Sequence, residues 1–169
     1  MKESTLALDR VELIASGKDR EAFLDLLLLA DESEQQVRSY MNGGDLFAFF
    51  PDGANVAAGM ILVLPLDPGE VELKAVAIRP DVQSKGLGKR MLLMVLEAVA
   101  ARGDRRAVVG TGNSGIGQLA YYQKAGFRLH HIERDFFSPE RGYDEGLEEN
   151  GIPLKDMVWM DLDLQKAPH

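Results

Sequence analysis

The chain has 169 residues, 46% of them hydrophobic and 27% charged, with a formal net charge of −8 and no cysteine. That length fits a single domain over residues 1–169 with one sizeable core, and the acidic balance argues against a nucleic-acid partner. The missing cysteines exclude disulfides, thiolate zinc sites and a cysteine nucleophile; no apolar run approaches the ~18 residues of a membrane span, and the N-terminus lacks a signal-peptide pattern, so a cytoplasmic location without a membrane partner is expected.

Ala22, Phe23, Leu26, Leu27 and Ala30 recur at helical spacing and predict a helix over 19–30. Ser33 followed by Gln36 has the form of a capping box, opening a second helix through Tyr40 that stops at Asn42-Gly43-Gly44. Residues 46–50 and 55–64 read as the strands of a hairpin about Pro51-Asp52-Gly53, where proline presets φ and glycine accepts a positive φ. Residues 71–78 form the next strand, whose alternation puts Glu72, Lys74, Val76 and Ile78 on one face. Met91, Leu92, Val95, Leu96 and Val99 mark a helix running to about Ala101. A strand at 106–110 then leads through a glycine-rich loop to a short helix at 118–125, ended by Gly126. Residues 127–137 are mostly strand, 138–154 a long acidic loop, and 157–164 the closing strand. A right-handed crossover from 71–78 through 86–101 to 106–110 makes those two strands parallel, within a mixed sheet carrying helices on both faces.

The turn Gln83-Ser84-Lys85-Gly86-Leu87-Gly88-Lys89 joins a strand to a helix. Its backbone N–H groups stand at the positive end of the helix dipole, a device for holding an anion such as a phosphate. Gly86 and Gly88 allow close backbone approach, and Lys85 and Lys89 add positive charge to an acidic chain. The plain alternative is a tight turn with solvated lysines.

Two motifs carry a resemblance. Gln83-Ser84-Lys85-Gly86-Leu87-Gly88, preceded by Val76-Ala77-Ile78-Arg79-Pro80, fits Arg/Gln-x-x-Gly-x-Gly/Ala at a strand-to-helix turn. Leu119-Ala120-Tyr121-Tyr122-Gln123-Lys124-Ala125-Gly126-Phe127 fits an aromatic-tyrosine helix ending in Gly-Phe. Together, in this order, they resemble the GNAT superfamily of acyl-CoA-dependent N-acetyltransferases, over roughly residues 45–137. The segment from Gly110-Thr111-Gly112-Asn113-Ser114 through Gly126-Phe127 further resembles an uncharacterised bacterial subset of that family.

The resemblance implies an α+β fold with a mostly antiparallel central sheet, and acetyl-CoA as cosubstrate without a metal. It implies that the CoA pyrophosphate lies on the backbone of residues 83–89, and that main-chain groups of Val76, Ala77 and Ile78 pair with the pantetheine arm. Glu72 matches a glutamate that takes the amine's proton; its alternative is a structural pair with Lys74. Tyr122 matches the tyrosine that protonates the departing thiolate, with a core role as its alternative, whereas Tyr121, about 100° round the helix, is expected in the core. Asn113 lies nine residues before Tyr122 where many relatives have seven, so its contact with the cofactor competes with capping the next helix. His130 and His131 on one strand are expected to point to opposite faces and hold no metal, and Trp159 is expected in the core. The acceptor is a small-molecule or peptide amine of unnamed type, and homodimers are frequent among relatives.

Two rivals accompany this reading. A non-catalytic domain that binds acyl-CoA and regulates would carry the same turn. Gly110-Thr111-Gly112-Asn113-Ser114-Gly115, with Glu133 some twenty residues on, has the form of a dinucleotide-binding fingerprint, set against it by a short following helix and the lack of a βαβ series.

Overall fold

The computed structural model describes residues 8–31, 33–83 and 86–166. Seven strands form the main sheet: β1 (Arg10–Ile14), β2 (Asp45–Phe50), β3 (Gly59–Pro65), β4 (Glu70–Ile78), β5 (Arg106–Gly112), β6 (Arg128–Glu133) and β9 (Met157–Asp163). They lie in the order β1-β2-β3-β4-β5-β9-β6. Only β4 and β5 pair in parallel; every other neighbouring pair is antiparallel. The mixed, mostly antiparallel sheet is therefore the expected one. A two-stranded ribbon, β7 (Glu148–Glu149) with β8 (Ile152–Pro153), folds the acidic loop back on itself.

Helices cover the sheet on both sides. On one face α4 (Leu87–Ala101) and α5 (Ile116–Lys124) bury Met91, Leu92, Val95, Val99 and Tyr122 against Phe47, Ile61, Val63, Leu73, Val109 and Met160. On the other, α2 (Leu24–Ala30) and α3 (Glu34–Tyr40) bury Leu26, Leu27 and Val37 against Leu46, Ala48, Met60, Leu62, Ala75 and Ala77. The helix expected over 19–30 is broken: α1 (Lys18–Glu21) ends before Phe23, which leaves helical geometry with φ −101° and ψ 4°.

Beside the break, Arg20 is buried and donates to the carbonyls of Ile14, Met41, Gly43 and Gly44 at 2.6–3.1 Å. It ties the end of β1, the α3 terminus and the start of β2 together, and burial holds its pKa below the usual guanidinium value. Buried carbonyls without a donor are costly, so the guanidinium answers a need of the turn itself.

The strand at 71–78 departs from simple alternation. Opposite β3, the register passes from Leu62↔Ala75 to Val63↔Leu73, leaving Lys74 without a partner. This extra residue is a β-bulge, and it reverses which face each side chain takes. Val71 and Leu73 lie on the α4 face, whereas Ala75 and Ala77 lie on the α2–α3 face. Val76 and Ile78 pack towards α4, while Glu72 stands opposite Leu64, on the α2–α3 side. The expectation of one face for Glu72, Val76 and Ile78 is thus corrected by one residue.

Candidate active site

The parallel pairing of β4 with β5 covers only Glu70↔Arg106 to Leu73↔Val109. Beyond the bulge, residues 75–78 and 110–112 run on without pairing each other, and the sheet opens as a fork. The edge of β4 in that fork can be assigned from hydrogen-bond phase. Arg79 N–H donates to Ala58 C=O, so alternation turns the main-chain groups of Ala77 towards β3 and those of Val76 and Ile78 into the fork. Of the three residues expected to offer backbone groups, two do so and Ala77 does not. The Ile78 carbonyl already accepts from the Gln83 side-chain amide at 3.1 Å, which gives Gln83 the task of shaping the turn.

At the mouth of the fork, Gly86 begins α4 with φ +74° and no side-chain cap. Arg90 N–H is the first to bond back, to the Gly86 carbonyl at 3.3 Å, so the N–H groups of Leu87, Gly88 and Lys89 have no acceptor within the helix. The Leu87 side chain is buried in the core and Lys89 is exposed. A Cβ on Gly86 would meet nothing within 4 Å, and one on Gly88 only ordinary contacts at 3.7 Å with Ile78 and Tyr121. Protein packing therefore gives no reason for glycine at 88, which fits a backbone meant to meet a ligand. Ser84 and Lys85 lie outside the described residues.

The two tyrosines of α5 exchange the expected environments. Tyr122 is buried, 6% exposed, edge-on to Phe127 at 5.8 Å between centroids. Tyr121 is half-buried and its hydroxyl donates to the Gly88 carbonyl at 2.5 Å. Among the described residues nothing hydrogen-bonds the Tyr122 hydroxyl, and burial raises its pKa well above that of a free phenol. The Ser114 hydroxyl, at the β5–α5 junction, is fully buried and likewise lacks a partner among the described residues.

Across the sheet, the Glu72 carboxylate is largely buried, its side chain 14% exposed, with Lys74 Nζ at 3.9 Å. Burial raises its pKa, and the Lys74 charge partly offsets the rise. Lys74 also sits over the Tyr40 ring at 4.9 Å. Asp31, at the end of α2, accepts from the hydroxyls of Tyr40 at 2.8 Å and Tyr143 at 3.1 Å and from Ser33 N–H at 3.1 Å. Tyr143 stacks edge-on to Phe137 at 5.0 Å. Gln36 does not complete its capping box: Ser33 Oγ accepts from Gln36 N–H, but the Gln36 amide donates to the Arg141 carbonyl at 2.7 Å. The acidic loop is thereby clasped to α2 and α3. Asp31, Tyr40 and Tyr143 were not singled out from sequence; two adjacent phenylalanines and a tyrosine in an otherwise acidic loop were the available signal.

Asn113 takes a different task from the expected cofactor contact. Its Oδ1 accepts from the N–H groups of Lys155 and Asp156, both at 2.9 Å, and its Nδ2 donates to Pro153 C=O at 3.0 Å. The amide is committed to fastening the loop before β9. The dinucleotide fingerprint also dissolves: Gly110 and Gly112 are part of β5, and a Cβ on either would strike Trp159 and Met157, or Leu154. Trp159 is partly exposed, not core, and donates to Glu133 at 3.3 Å. His130 and His131 do not diverge; a bulge in β6 brings their Nδ1 atoms to 2.8 Å.

Comparison with known proteins points the same way. Residues 17–127 match the model of the acetyltransferase (GNAT) family. The chain belongs to that family. It is 40% identical over 155 residues to the uncharacterized N-acetyltransferase YvbK of Bacillus subtilis, covering 92% of this chain and 96% of that protein. A Bacillus subtilis acetyltransferase solved in complex with CoA superposes with a TM-score of 0.81 at 38% identity, over 92% of this chain and 99% of that one. A GNAT acetyltransferase from Elizabethkingia anophelis with acetyl-CoA bound gives 0.81 at 32% identity, over 92% and 97%. As a GNAT acetyltransferase, the chain has its fork, turn and paired tyrosines on a fold these relatives carry almost end to end.

Proposed function

We propose that this protein transfers the acetyl group of acetyl-CoA to a primary amine of a small molecule or peptide, by direct attack within one ternary complex. The observation that carries the proposal is the opening between β4 and β5 beyond Leu73, with the unbonded N–H groups of the first turn of α4 near its end and Glu72 and Tyr122 on opposite faces of the sheet. Acetyl-CoA supplies an activated acetyl group as a thioester. The N–H groups of Leu87, Gly88 and Lys89 hold its pyrophosphate, and the fork edge of Val76 and Ile78 holds its arm. The amine enters from the α2–α3 side as an ammonium and cannot attack until it loses a proton. Glu72 accepts that proton, directly or through a water, and its raised pKa improves it as a base. When the C–S bond breaks, Tyr122 donates its proton to the sulfur, and burial disfavours its phenolate, which then recovers a proton from the amine side.

The absence of cysteine from the sequence leaves no cysteinyl acyl-enzyme route. A domain that binds acyl-CoA only to regulate has no use for a largely buried carboxylate and an unbonded phenol on the two faces of the same strand pair. The deciding experiment is CoA-thiol release, followed with DTNB, across a panel of primary amines. Acetyl-CoA-dependent thiol release with at least one amine is expected. Tight acetyl-CoA binding with no release for any amine would transfer the assignment to a binding module.

A further inference from the structure

β6 is the outer strand at the β9 end of the sheet. Residues 128–132 are exposed, and Leu129 and Ile132 are each 62% exposed. The register against β9 passes from Leu129↔Met160 to His131↔Trp159, so His130 is an extra residue. That bulge brings Leu129 and Ile132, three positions apart, onto one face, opposite Met160 and Val158. Arg128, His131 and Glu133 stand on the other face, opposite Asp161, Trp159 and Met157.

The bulge also aligns the main chain. Leu164 N–H donates to Arg105 C=O and Asn113 N–H to Asp156 C=O, which fixes the phase of the β5–β9 ladder. Met160 and Val158 therefore turn their main-chain groups to β5, and the residues opposite them, Leu129 and Ile132, turn theirs to the open edge. An edge whose outward donors and acceptors meet no partner among the described residues, with two exposed aliphatic side chains beside them, is a pairing template.

The strand Arg128-Leu129-His130-His131-Ile132-Glu133 is complementary to its own reverse. Laid antiparallel to a copy, Arg128 meets Glu133, Leu129 meets Ile132, and His130 meets His131. Each of the first two pairs also matches in face, and Leu129 and Ile132 match in hydrogen-bond direction. We propose that a second copy of this chain docks on β6 about a two-fold axis between His130 and His131, joining the two sheets into one. A bulge ordinarily blunts an edge, but here both copies carry it at the same place, so the number of residues between the paired positions is equal on both strands. Two Leu129–Ile132 contacts and two Arg128–Glu133 pairs result. Glu133 also accepts from Trp159 and from Arg141 at 2.8 Å, so Arg128 of the other copy arrives at the rim of the acceptor side.

Sedimentation velocity of the full chain tests this, with circular dichroism to confirm folding of each variant. The expected species has twice the 18.6 kDa chain mass. Ile132→Lys and Arg128→Glu should each weaken the dimer at least about tenfold, and Arg128→Glu with Glu133→Arg should restore it, because the reversed pair recurs on both sides of the axis. A wild-type monomer, or a dimer that both single variants leave intact, overturns the proposal.

Discussion

The hydroxyl of Tyr121 donates to the carbonyl of Gly88 at 2.5 Å and so fastens α5 to the first turn of α4. Its neighbour Tyr122 is buried and has a hydroxyl that no described residue binds. The two adjacent phenols thus answer to different tests. Tyr121→Phe should cost about 1 kcal/mol of stability, the usual net worth of one hydrogen bond, and leave turnover little changed. Tyr122→Phe should lower kcat by about 100-fold or more, the range for a lost general acid, with acetyl-CoA affinity nearly unchanged. Equal activity in the Tyr122 variant would remove it from the mechanism.

Gly88→Ala separates folding from cofactor binding. The new Cβ meets only contacts at 3.7 Å, and alanine is favoured over glycine in a helix by up to about 1 kcal/mol. Melting temperature should hold or rise while the KM for acetyl-CoA increases several-fold. A variant with unchanged KM contradicts the role of this turn.

The charge on Lys74 is expected to set the pH dependence. Glu72 has a pKa raised by burial, partly restrained by Lys74. The proposed mechanism needs the carboxylate, so the acid limb of kcat/KM should lie above the ordinary carboxylate value of 4.5. Lys74→Met removes the restraining charge and should move that limb further up, with Lys74→Arg restoring it. In folding the sign is opposite to that of a salt-bridged acid. A raised native pKa gives stability below the unfolded carboxyl range that is lost as pH rises through the native value. Glu72→Gln should therefore flatten this part of the stability profile and abolish the acid limb, at a large loss of turnover. An acid limb that persists in Glu72→Gln assigns the base elsewhere.

Asp31→Ala should act on the acceptor alone. It strips an acceptor from Tyr40, Tyr143 and Ser33 N–H together, at about 1–3 kcal/mol of stability. With the acidic loop released, the KM for the amine should rise while that for acetyl-CoA stays near its wild-type value. Parallel rises in both constants would mean that the clasp supports the whole fold instead of the acceptor side.

Most of the architecture was legible because it rests on local periodicity. The apolar stripe of α4, the Gly126 stop with φ +107° and the Ser33 cap all appear where spacing puts them. The failures have a common cause. Bulges at Lys74 and His130 leave no mark in composition, yet each inverts the faces of the strand residues beyond it. β1, only five residues long and largely exposed, was not read as a strand, since it is held as an edge by β2. Contacts between distant segments, such as Asp31 with Tyr143 or Asn113 with residues 153–156, depend on tertiary packing that no window of sequence contains. Glu72 and Tyr122 were legible as residue types at positions, whereas their separation by the sheet was not.

Lys74 is left out of the β3 ladder, and that one unpaired residue works as a parity bit for the whole strand. Drawing Lys74 into the ladder as an ordinary paired residue would leave the chemistry of every side chain intact but exchange the compartments. With residues 75–78 held in place by β3, Glu72 would swing to the α4 side, onto the ground assigned to the cofactor, and the acceptor's side would be left without a carboxylate. The proposed division between donor and acceptor sides thus rests on how many residues of β4 pair with β3, independent of which residues they are.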